Sequence, residues 1–315
     1  MLDILSIGHA TIDFFLELDP ETAPLVWSKT KKDSFVCLDF DDKTPVRSAH
    51  WSVGGNAVNS GIGFARLGLN TALVSEVGDD EWGRVIQRTI EQEKLGLEHF
   101  FVNTGQVTDL SVILNLHGQR TILSYHYPRE YQFPKELPST RWVYLTSLGE
   151  RFPGFHLKLL SRFHDSFKLA YNPGVHELRA GLEANIKIIE KCTVLLVNRE
   201  EAGTFLGQRP AEVTEGLLKS LYDLGSKIVV ITDGKNGSFA YDGQAFYRQQ
   251  IFPTEFIEAT GAGDAFAAGF LSALVYGEGT VEALRWGTAN SSSVIQYIGS
   301  TEGLLTGEEM KGKIT

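Results

Sequence analysis

The stretch Glu258-Ala-Thr-Gly-Ala-Gly-Asp264 leads directly into an apolar segment, Ala265-Phe-Ala-Ala-Gly-Phe-Leu-Ser-Ala-Leu-Val-Tyr276. Within that segment Phe266, Phe270 and Leu274 recur four residues apart. This spacing predicts a helix with one apolar face, and the small residues between them leave its other side thin enough for close packing. The glycine-rich stretch therefore precedes the N-terminus of a buried helix.

The glycines of this stretch predict an anion site. Gly261 and Gly263 can adopt backbone angles that direct several N–H groups, including that of Ala262, to one concave side. These groups and the positive end of the helix dipole favour a bound anion. Asp264 would repel that anion unless it takes part in the chemistry, so it either caps the helix or orients a hydroxyl toward a phosphoryl group. The helix terminus should lower its pKa and keep it ionised at pH 7.

Thr260-Gly-Ala-Gly-Asp264 resembles the C-terminal signature of the PfkB (ribokinase-like) family of carbohydrate kinases. The resemblance implies that Asp264 is the catalytic base, that Gly261, Ala262 and Gly263 form the anion hole, and that ATP and magnesium are the cofactors. Glu258-Ala259 stands where the family usually has Asp-Thr. Ribokinase-like members hold a monovalent cation near this position, so such a cation is a further candidate ligand.

Composition narrows the class of protein. The chain has 315 residues, of which 43% are hydrophobic and 22% charged, as in ordinary globular proteins. A formal net charge of −10 argues against nucleic acid or an anionic membrane as the partner. The two cysteines, Cys37 and Cys192, make no disulfide framework, and no stretch approaches membrane-spanning length. The sequence therefore predicts a cytoplasmic protein with small-molecule ligands.

The second half of the chain alternates between strand and helix patterns. Strands are predicted at Trp142–Thr146, Lys168–Asn172, Val194–Asn198 and Lys227–Thr232, and helices around 155–164, 177–190 and 210–224. This alternation predicts an α/β fold with a parallel sheet covered on both faces and ligands at the carboxyl ends of its strands. The resemblance implies a ribokinase-like three-layer αβα sandwich whose central sheet is mostly parallel.

Four alternating segments lie outside that pattern, at Ser34–Asp39, Val46–Trp51, Leu110–Leu116 and Thr121–Tyr127. They predict a small separate β-sheet. Family members carry such a sheet as a lid over the sugar site and often use it to form a homodimer; the alternative is an appendage with no gating role. We expect one kinase domain over 1–315, with lid strands drawn from about 15–52 and 108–128.

The acceptor site is expected near two glycines at a helix start. Ser52-Val-Gly-Gly-Asn-Ala-Val-Asn59 runs into an apolar-periodic helix over Ala57–Leu67. This run is similar to the N-terminal signature of the same family. The residues that the resemblance assigns to the sugar are Gly54, Gly55, Asn56, Asn59 and Asp13. Without the resemblance, Asp13 would be interpreted as a turn or cap residue. Asn56 stands where ribokinases often have Lys.

The nucleotide site is expected on three later segments. Asn198-Arg-Glu-Glu201 looks like the family's Asn-x-x-Glu motif, which implies that Glu201 organises magnesium through water; by itself Glu201 would be a first-turn helix residue. Ile231–Ser238 resembles the family's nucleotide-contacting turn, although a plain hairpin turn is the alternative. The last long helix, predicted over Val281–Ile298, would contact the base. The cofactor-binding candidates are Asn198, Thr232, Asp233, Gly234, Gly237, Thr288 and Asn290.

The sequence leaves three functions open. The first is an ATP-dependent kinase of a sugar primary hydroxyl. The second is a nucleoside kinase for adenosine, inosine or cytidine, suggested by Asn172-Pro173 and by Tyr125, Tyr127 and Tyr131 near Arg129, which either stack a base or pack the lid. The third is a non-enzymatic sensor, against which the intact Gly-Ala-Gly-Asp argues. The sequence has no Walker-type phosphate loop, no dinucleotide fingerprint after the first strand, and no spacing typical of zinc sites.

Overall fold

The computed structural model describes residues 1–27, 34–116, 119–162 and 167–315. The large sheet has nine strands. In sheet order these are β15 (Phe246–Gln249), β14 (Ser238–Tyr241), β13 (Ile228–Thr232), β12 (Val194–Asn198), β11 (Lys168–Tyr171), β10 (Thr140–Leu145), β1 (Leu2–Ile7), β6 (Thr71–Gly78) and β7 (Gly96–Asn103). The two antiparallel pairings, β13 with β14 and β14 with β15, lie at one edge, and the other strands pair in parallel.

The helices of the described residues pack on both faces of this sheet. They are α1 (Asn56–Arg66), α2 (Glu81–Gln92), α3 (Phe152–Ser161), α4 (Val175–Ile189), α5 (Arg199–Phe205), α6 (Glu215–Tyr222), α7 (Ala262–Tyr276), α8 (Thr280–Val294) and α9 (Gly307–Ile314). None of the helices in these ranges is long and apolar enough to cross a membrane. The predicted order of strands and helices after the lid is confirmed, with ends that differ by a few residues.

Successive side chains of the central strands point to opposite faces of the large sheet and form a hydrophobic core on each face. In β10, Val143 and Leu145 pack with α3 to α6, whereas Trp142 and Tyr144 pack on the other face with α7 and α8. All four side chains are at most 2% exposed. Each fully buried apolar side chain contributes roughly 1.5–3 kcal/mol to stability. Apolar residues at successive positions of the central strands therefore stabilise both faces of the sheet. The predicted three-layer architecture is confirmed.

Helix α7 is the buried helix expected after the glycine-rich stretch. It ends at Gly277, whose φ of 94° is the left-handed conformation of a helix stop. Gly269 is needed for close packing on α8, because a Cβ there would lie 2.5 Å from the carbonyl oxygen of Trp286. The side of α7 that the sequence predicts to carry small residues therefore contacts α8.

The lid differs from the expectation in its strands. Its four-stranded sheet has the order β5 (Val46–Gly54), β2 (Thr11–Leu18), β8 (Asp109–Leu116) and β9 (Gln119–Tyr125). The prediction that Ser34–Asp39 belongs to the lid was wrong, since among the described residues β4 (Ser34–Val36) pairs with β3 (Leu25–Trp27) in a separate ribbon and not with the lid sheet. The segment after β1 instead forms a central lid strand. The turn predicted at His117–Arg120 lies partly outside the described residues.

Each face of the lid carries a row of aligned side chains. Asp13 of β2 is in register with Ser52 and Ser111, and Ser111 with Ser124. The neighbouring row aligns Trp51, Phe14, Val112 and Leu123. Because successive residues of a strand face opposite sides, the serine row lies on one face of the lid, called the polar face below after this row, and the apolar row lies on the other.

Candidate active site

A cavity of about 580 Å³ lies between the polar face of the lid and the large sheet. The carboxyl ends of the parallel strands supply Ser147, Asn172, Asn198 and Thr232 to its lining, the lid supplies Thr11, Asp13, Ser111 and Ser124, and the N-terminal ends of α1 and α7 supply Asn56, Asn59 and Asp264. We call it the acceptor cavity. Its position at the strand ends agrees with the expectation for an open α/β sheet.

A second cavity, of about 380 Å³, adjoins the first and is called the nucleotide cavity below. Thr232, Gly234, Ala262 and Gly263 line both cavities. The nucleotide cavity continues past Phe252 and Ile295, among others. The glycine-rich turn therefore stands at the junction of the two spaces.

The two glycines of the turn have different conformations. Gly261 is the residue before α7 and has a φ of 77°, while a Cβ on it would lie 2.6 Å from the carbonyl oxygen of Ser300. Gly263 is already helical, and a Cβ on it would meet no atom within 4 Å. The first N–H groups of a helix have no partner within the helix. Open space beside Gly263 at this end of α7 therefore fits a bound anion.

Asp264 lies in the first turn of α7 and is 6% exposed. Its two oxygens accept hydrogen bonds from Nδ2 of Asn56 and Nδ2 of Asn59, both at 2.9 Å. Ser300 Oγ donates to Asn59 Oδ1 at 2.9 Å, which orients the amide with its N–H group toward Asp264. Since the carboxylate bonds two asparagines and α7 has no side-chain cap, the capping alternative is not supported.

Burial and, to a smaller extent, the nearby charge of Asp13 raise the pKa of Asp264 against the hydrogen bonds from Asn59 and Asn56, with a net value of about 6. The expectation that the helix terminus would lower this pKa was wrong. Removal of the carboxylate from water outweighs the helix dipole, which contributes at most about 2 kcal/mol.

Asp13 reaches the same cavity from the lid. It is 6% exposed, and Thr11 Oγ1 donates to its Oδ1 at 3.0 Å. Desolvation raises its pKa to about 6. A Cβ on Gly54 would lie 2.1 Å from Asp13 Oδ2, so that glycine makes room for the carboxylate. Gly55, with a φ of 95°, begins the turn into α1 and lines the cavity.

Glu258 joins the glycine-rich turn to the lid. It is 3% exposed, and its Oε1 accepts hydrogen bonds from Thr260 N at 2.8 Å and Thr260 Oγ1 at 2.6 Å. Arg120 of β9 places Nη1 3.3 Å from the same oxygen. The other oxygen, Oε2, is buried without a hydrogen-bond partner within the described ranges. Sequence reasoning missed Arg120, because nothing adjacent to it in the chain indicates its partner.

Asn198 and Glu201 form a reciprocal cap at the start of α5. Asn198 N donates to Glu201 Oε2 at 2.8 Å, and Glu201 N donates to Asn198 Oδ1 at 2.9 Å. Both residues line the acceptor cavity. Burial, together with the charges of Glu200 and Asp264, raises the pKa of Glu201 to about 7 although the bond from Asn198 N lowers it. The group therefore has both a structural role in the cap and access to the cavity.

Of the other six nucleotide-site candidates, four line the nucleotide cavity and two do not. Thr232, Gly234, Gly237 and Thr288 line the nucleotide cavity. Asp233 and Asn290 are not among the described residues that line either cavity. Asp233 pairs with Arg199 at 3.4 Å. Asn290 is fully buried and bonds the carbonyl of Ala265 at 2.8 Å and the N–H of Leu305 at 2.9 Å, so both ends of its amide stabilise the packing of α8.

Sequence reasoning also missed a histidine cluster. His9, His126 and His176 all line the acceptor cavity, and His9 and His126 place ring nitrogens within 4.8 Å of each other and of an Asp109 oxygen. Three such groups can hold a metal. Here Arg129 Nη2 already donates to Asp109 at 2.8 Å, so a cation beside that carboxylate would face a second positive charge. The arrangement fits a hydrogen-bonded network better than a metal centre.

A family model for the pfkB family carbohydrate kinases matches residues 22–306. The chain is 30% identical over 266 residues to the 5-dehydro-2-deoxygluconokinase of Geobacillus kaustophilus, covering 77% of this chain and 78% of that protein. It is 26% identical to the nucleoside kinase of Methanothermobacter thermautotrophicus, covering 98% of this chain and 94% of that protein.

Among solved structures, the Arabidopsis thaliana ribokinase complexed with ribose and ATP superimposes with a TM-score of 0.82. The match covers 100% of this chain and 99% of that one, at 18% sequence identity. At this identity the similarity shows a shared fold, including the large mixed sheet with helices on both sides and the smaller lid sheet.

Proposed function

Because the chain belongs to the pfkB family of carbohydrate kinases, we propose that it transfers the terminal phosphoryl group of ATP to a primary hydroxyl of a sugar. Family membership makes the protein a phosphotransferase with an alcohol group as acceptor. The observation that carries the specific proposal is Asp264, a buried carboxylate beside the turn at which the two cavities meet.

In the proposed reaction, Asp264 accepts the proton of the acceptor hydroxyl as that oxygen attacks the phosphorus. Asn56 and Asn59 fix the orientation of the carboxylate through its two oxygens. A pKa of about 6 makes the group a stronger base than a solvated carboxylate, yet leaves it ionised at pH 7.5. The N–H groups at the start of α7 stabilise the charge on the phosphoryl oxygens.

The cofactors proposed are ATP and magnesium. The nucleotide cavity and the open space beside Gly263 fit a nucleotide whose terminal phosphate reaches the start of α7. When bound, magnesium neutralises phosphate charge, and Glu201 would hold it through water. A monovalent cation at the unpaired buried oxygen of Glu258 is the weaker part of this proposal, because Arg120 already places a positive charge beside that carboxylate.

The test is Asp264→Asn. We expect kcat to fall by about 10³ or more, because the base is lost, while ATP binding measured by calorimetry changes little. Asp242→Asn, the same chemical change in the turn between β14 and β15, is the matched control and should keep its activity. Near-native turnover by the Asp264 variant would refute the assignment.

A nucleoside kinase is the second candidate, and the nearly full-length similarity to a nucleoside kinase favours keeping it. The tyrosines suggested for base stacking give it less support. Tyr125 is 46% exposed, Tyr131 bonds His9, and neither they nor Tyr127 are among the described residues that line the acceptor cavity. Assays with ribose, fructose, adenosine, inosine and cytidine, each with ATP and magnesium, separate the two candidates.

The apolar face of the lid is where we propose homodimer formation. Leu123 is 54% exposed and Trp51 47% exposed, in the same aligned row. Leu123→Asp should lower the molar mass measured by light scattering toward that of one chain, whereas a wild-type protein already of that mass would contradict the proposal.

We place the protein in the cytoplasm because Cys37 and Cys192 are both free.

A further inference from the structure

His9 has an unused hydrogen-bonding atom and is one of the residues that line the acceptor cavity. The residue follows β1 and is 2% exposed, and its Nε2 is buried without a hydrogen-bond partner in the described parts of the chain. Leaving a buried polar atom without a partner costs roughly 1–3 kcal/mol, so a ligand that bonds it recovers that energy.

The contacts of the other ring nitrogen decide which atom carries the proton. Tyr131 OH makes a short hydrogen bond to His9 Nδ1. Burial raises the pKa of Tyr131, so its phenol stays protonated and can donate. Asp109 Oδ2 lies 3.5 Å from the same nitrogen, beyond the usual range of an N–H···O bond. His9 Nδ1 is therefore the acceptor, and Nε2 carries the hydrogen of the ring.

His126 has the opposite tautomer. Its Nδ1 lies 3.0 Å from Asp109 Oδ2. Burial would raise the pKa of Asp109, but hydrogen bonds with His126 and the charge of Arg129 hold it below its usual range, so this oxygen only accepts. His126 Nδ1 consequently donates, and Nε2 keeps a lone pair. The rings of His9 and His126 stack with centroids 4.3 Å apart, so one donor and one acceptor stand side by side.

The charges around the acceptor cavity disfavour an anion. Asp13, Glu201 and Asp264 line it, and Arg120 is the one Lys or Arg side chain in the described lining. The guanidinium of Arg120 is paired with Glu258, and that of Arg129 with Asp109. A phosphate or carboxylate on the acceptor would therefore meet several carboxylates and no free cation among these residues.

We propose that His9 and His126 are specificity-determining residues that bind a second hydroxyl of an uncharged, polyhydroxylated acceptor, one as donor and the other as acceptor of a hydrogen bond. A hydroxyl suits this pair because it can donate and accept at once. The inference rests on the proposed function, since it concerns the acceptor of the same reaction.

The test compares variants that keep or remove single atoms of His126. His126→Asn keeps a donor near the Nδ1 position for Asp109 but removes the acceptor at Nε2. His126→Gln places an amide near the Nε2 position. For D-ribose, D-fructose or inosine, whichever turns over, we expect His126→Asn to raise KM about tenfold while kcat and the KM for ATP stay within about threefold. His126→Gln should lose less.

Deoxy analogues identify the bonded hydroxyl. An acceptor lacking it should be a poorer substrate of the wild type by about tenfold, and the two acceptors should be equivalent for His126→Asn. The proposal is overturned if every deoxy analogue is discriminated equally by both proteins. It is also overturned if fructose 6-phosphate is preferred to fructose, or if Zn²⁺ binds with one equivalent in wild type and none in His126→Asn.

Binding separates this proposal from the proposed function. Calorimetry with the same sugars, in the presence of a non-hydrolysable ATP analogue, needs no turnover. If the wild type phosphorylates nothing but binds an uncharged sugar about tenfold more tightly than His126→Asn does, the kinase proposal fails and the histidine pair stands. If catalysis is observed and the affinities are equal, the histidine pair fails alone.

Discussion

The two ends of the candidate active site are built in different ways. At the start of α7, Gly261, Gly263 and Asp264 come from one short stretch, and their conformations follow from one helix terminus. At the lid end, Asp13, Asp109 and His126 come from β2, β8 and the segment after β9. The first end depends on local backbone geometry, whereas the second depends on strand register between distant segments.

In the proposed reaction this difference separates phosphate chemistry from acceptor choice. The N–H groups at the start of α7 would contact the transferred phosphoryl group, and Asp264 would contact only the hydroxyl that every acceptor shares. The polar row of the lid would contact the rest of the acceptor. We therefore expect substitutions at the first end to lower kcat and substitutions at the second to raise the KM of the acceptor.

The largest effect is expected at the two glycines of the turn. Gly263→Ala adds a methyl group to open space in a helical position, so the fold should be as stable as the wild type or slightly more stable. The methyl occupies the proposed phosphate position, and kcat should fall by about 10²–10³. Gly261→Ala should instead destabilise the protein by roughly 1–3 kcal/mol, because it strains a φ of 77°. Equal activity losses with equal melting temperatures would contradict this distinction.

The second prediction concerns the two buried carboxylates, one at each end. Folding raises the pKa values of Asp264 and Asp13 to about 6. A raised carboxyl pKa favours the folded state below the unfolded value, near 4, and this contribution is lost as pH rises through about 6. Asp13→Asn should therefore be more stable than wild type at pH 8, by up to about 3 kcal/mol, with the difference shrinking toward pH 4. Asp264→Asn should change in the same direction but gain less, because its amide NH₂ group replaces one of the two oxygens that accept bonds from Asn56 and Asn59.

Urea unfolding at pH 8 and pH 5 measures this difference. Asp80→Asn is the control of opposite sign, because bonds from Thr108 and Gly83 lower the pKa of Asp80 and its ionised form stabilises the fold. If the Asp264 and Asp80 variants respond to pH alike, burial does not control the Asp264 carboxylate. The kcat/KM of the wild type should fall about tenfold per pH unit below pH 6.

The smallest effect is expected where the two ends touch. Arg120→Gln leaves the buried Glu258 carboxylate without its cationic partner, so kcat/KM should fall about tenfold. Glu258→Gln in the same protein removes that unpaired charge. The double variant should therefore be more stable than Arg120→Gln alone, with a coupling of about 1–2 kcal/mol in a thermodynamic cycle. Additive losses would show that the lid and the turn are energetically independent.

Much of the candidate site could be predicted because its sequence motifs are short and lie next to the elements that they position. The glycines before α7 and the Gly-Gly before α1 lie next to the helices that they begin, and the period of the apolar residues identified those helices. Asn290 shows the limit of such reasoning. It lies two residues from Thr288 on α8, yet Thr288 lines the nucleotide cavity and Asn290 bonds the backbone of α7.

The sequence by itself determined the parallel sheet, the buried helix and the turn at its N-terminus, because strand and helix periods and glycine conformations are properties of neighbouring residues. The tertiary structure alone decided the raised pKa of Asp264, the Arg120–Glu258 pair and the tautomers of His9 and His126. Each of these depends on burial or on contacts between residues far apart in the chain. Such contacts exist only once the lid and the sheet have packed together.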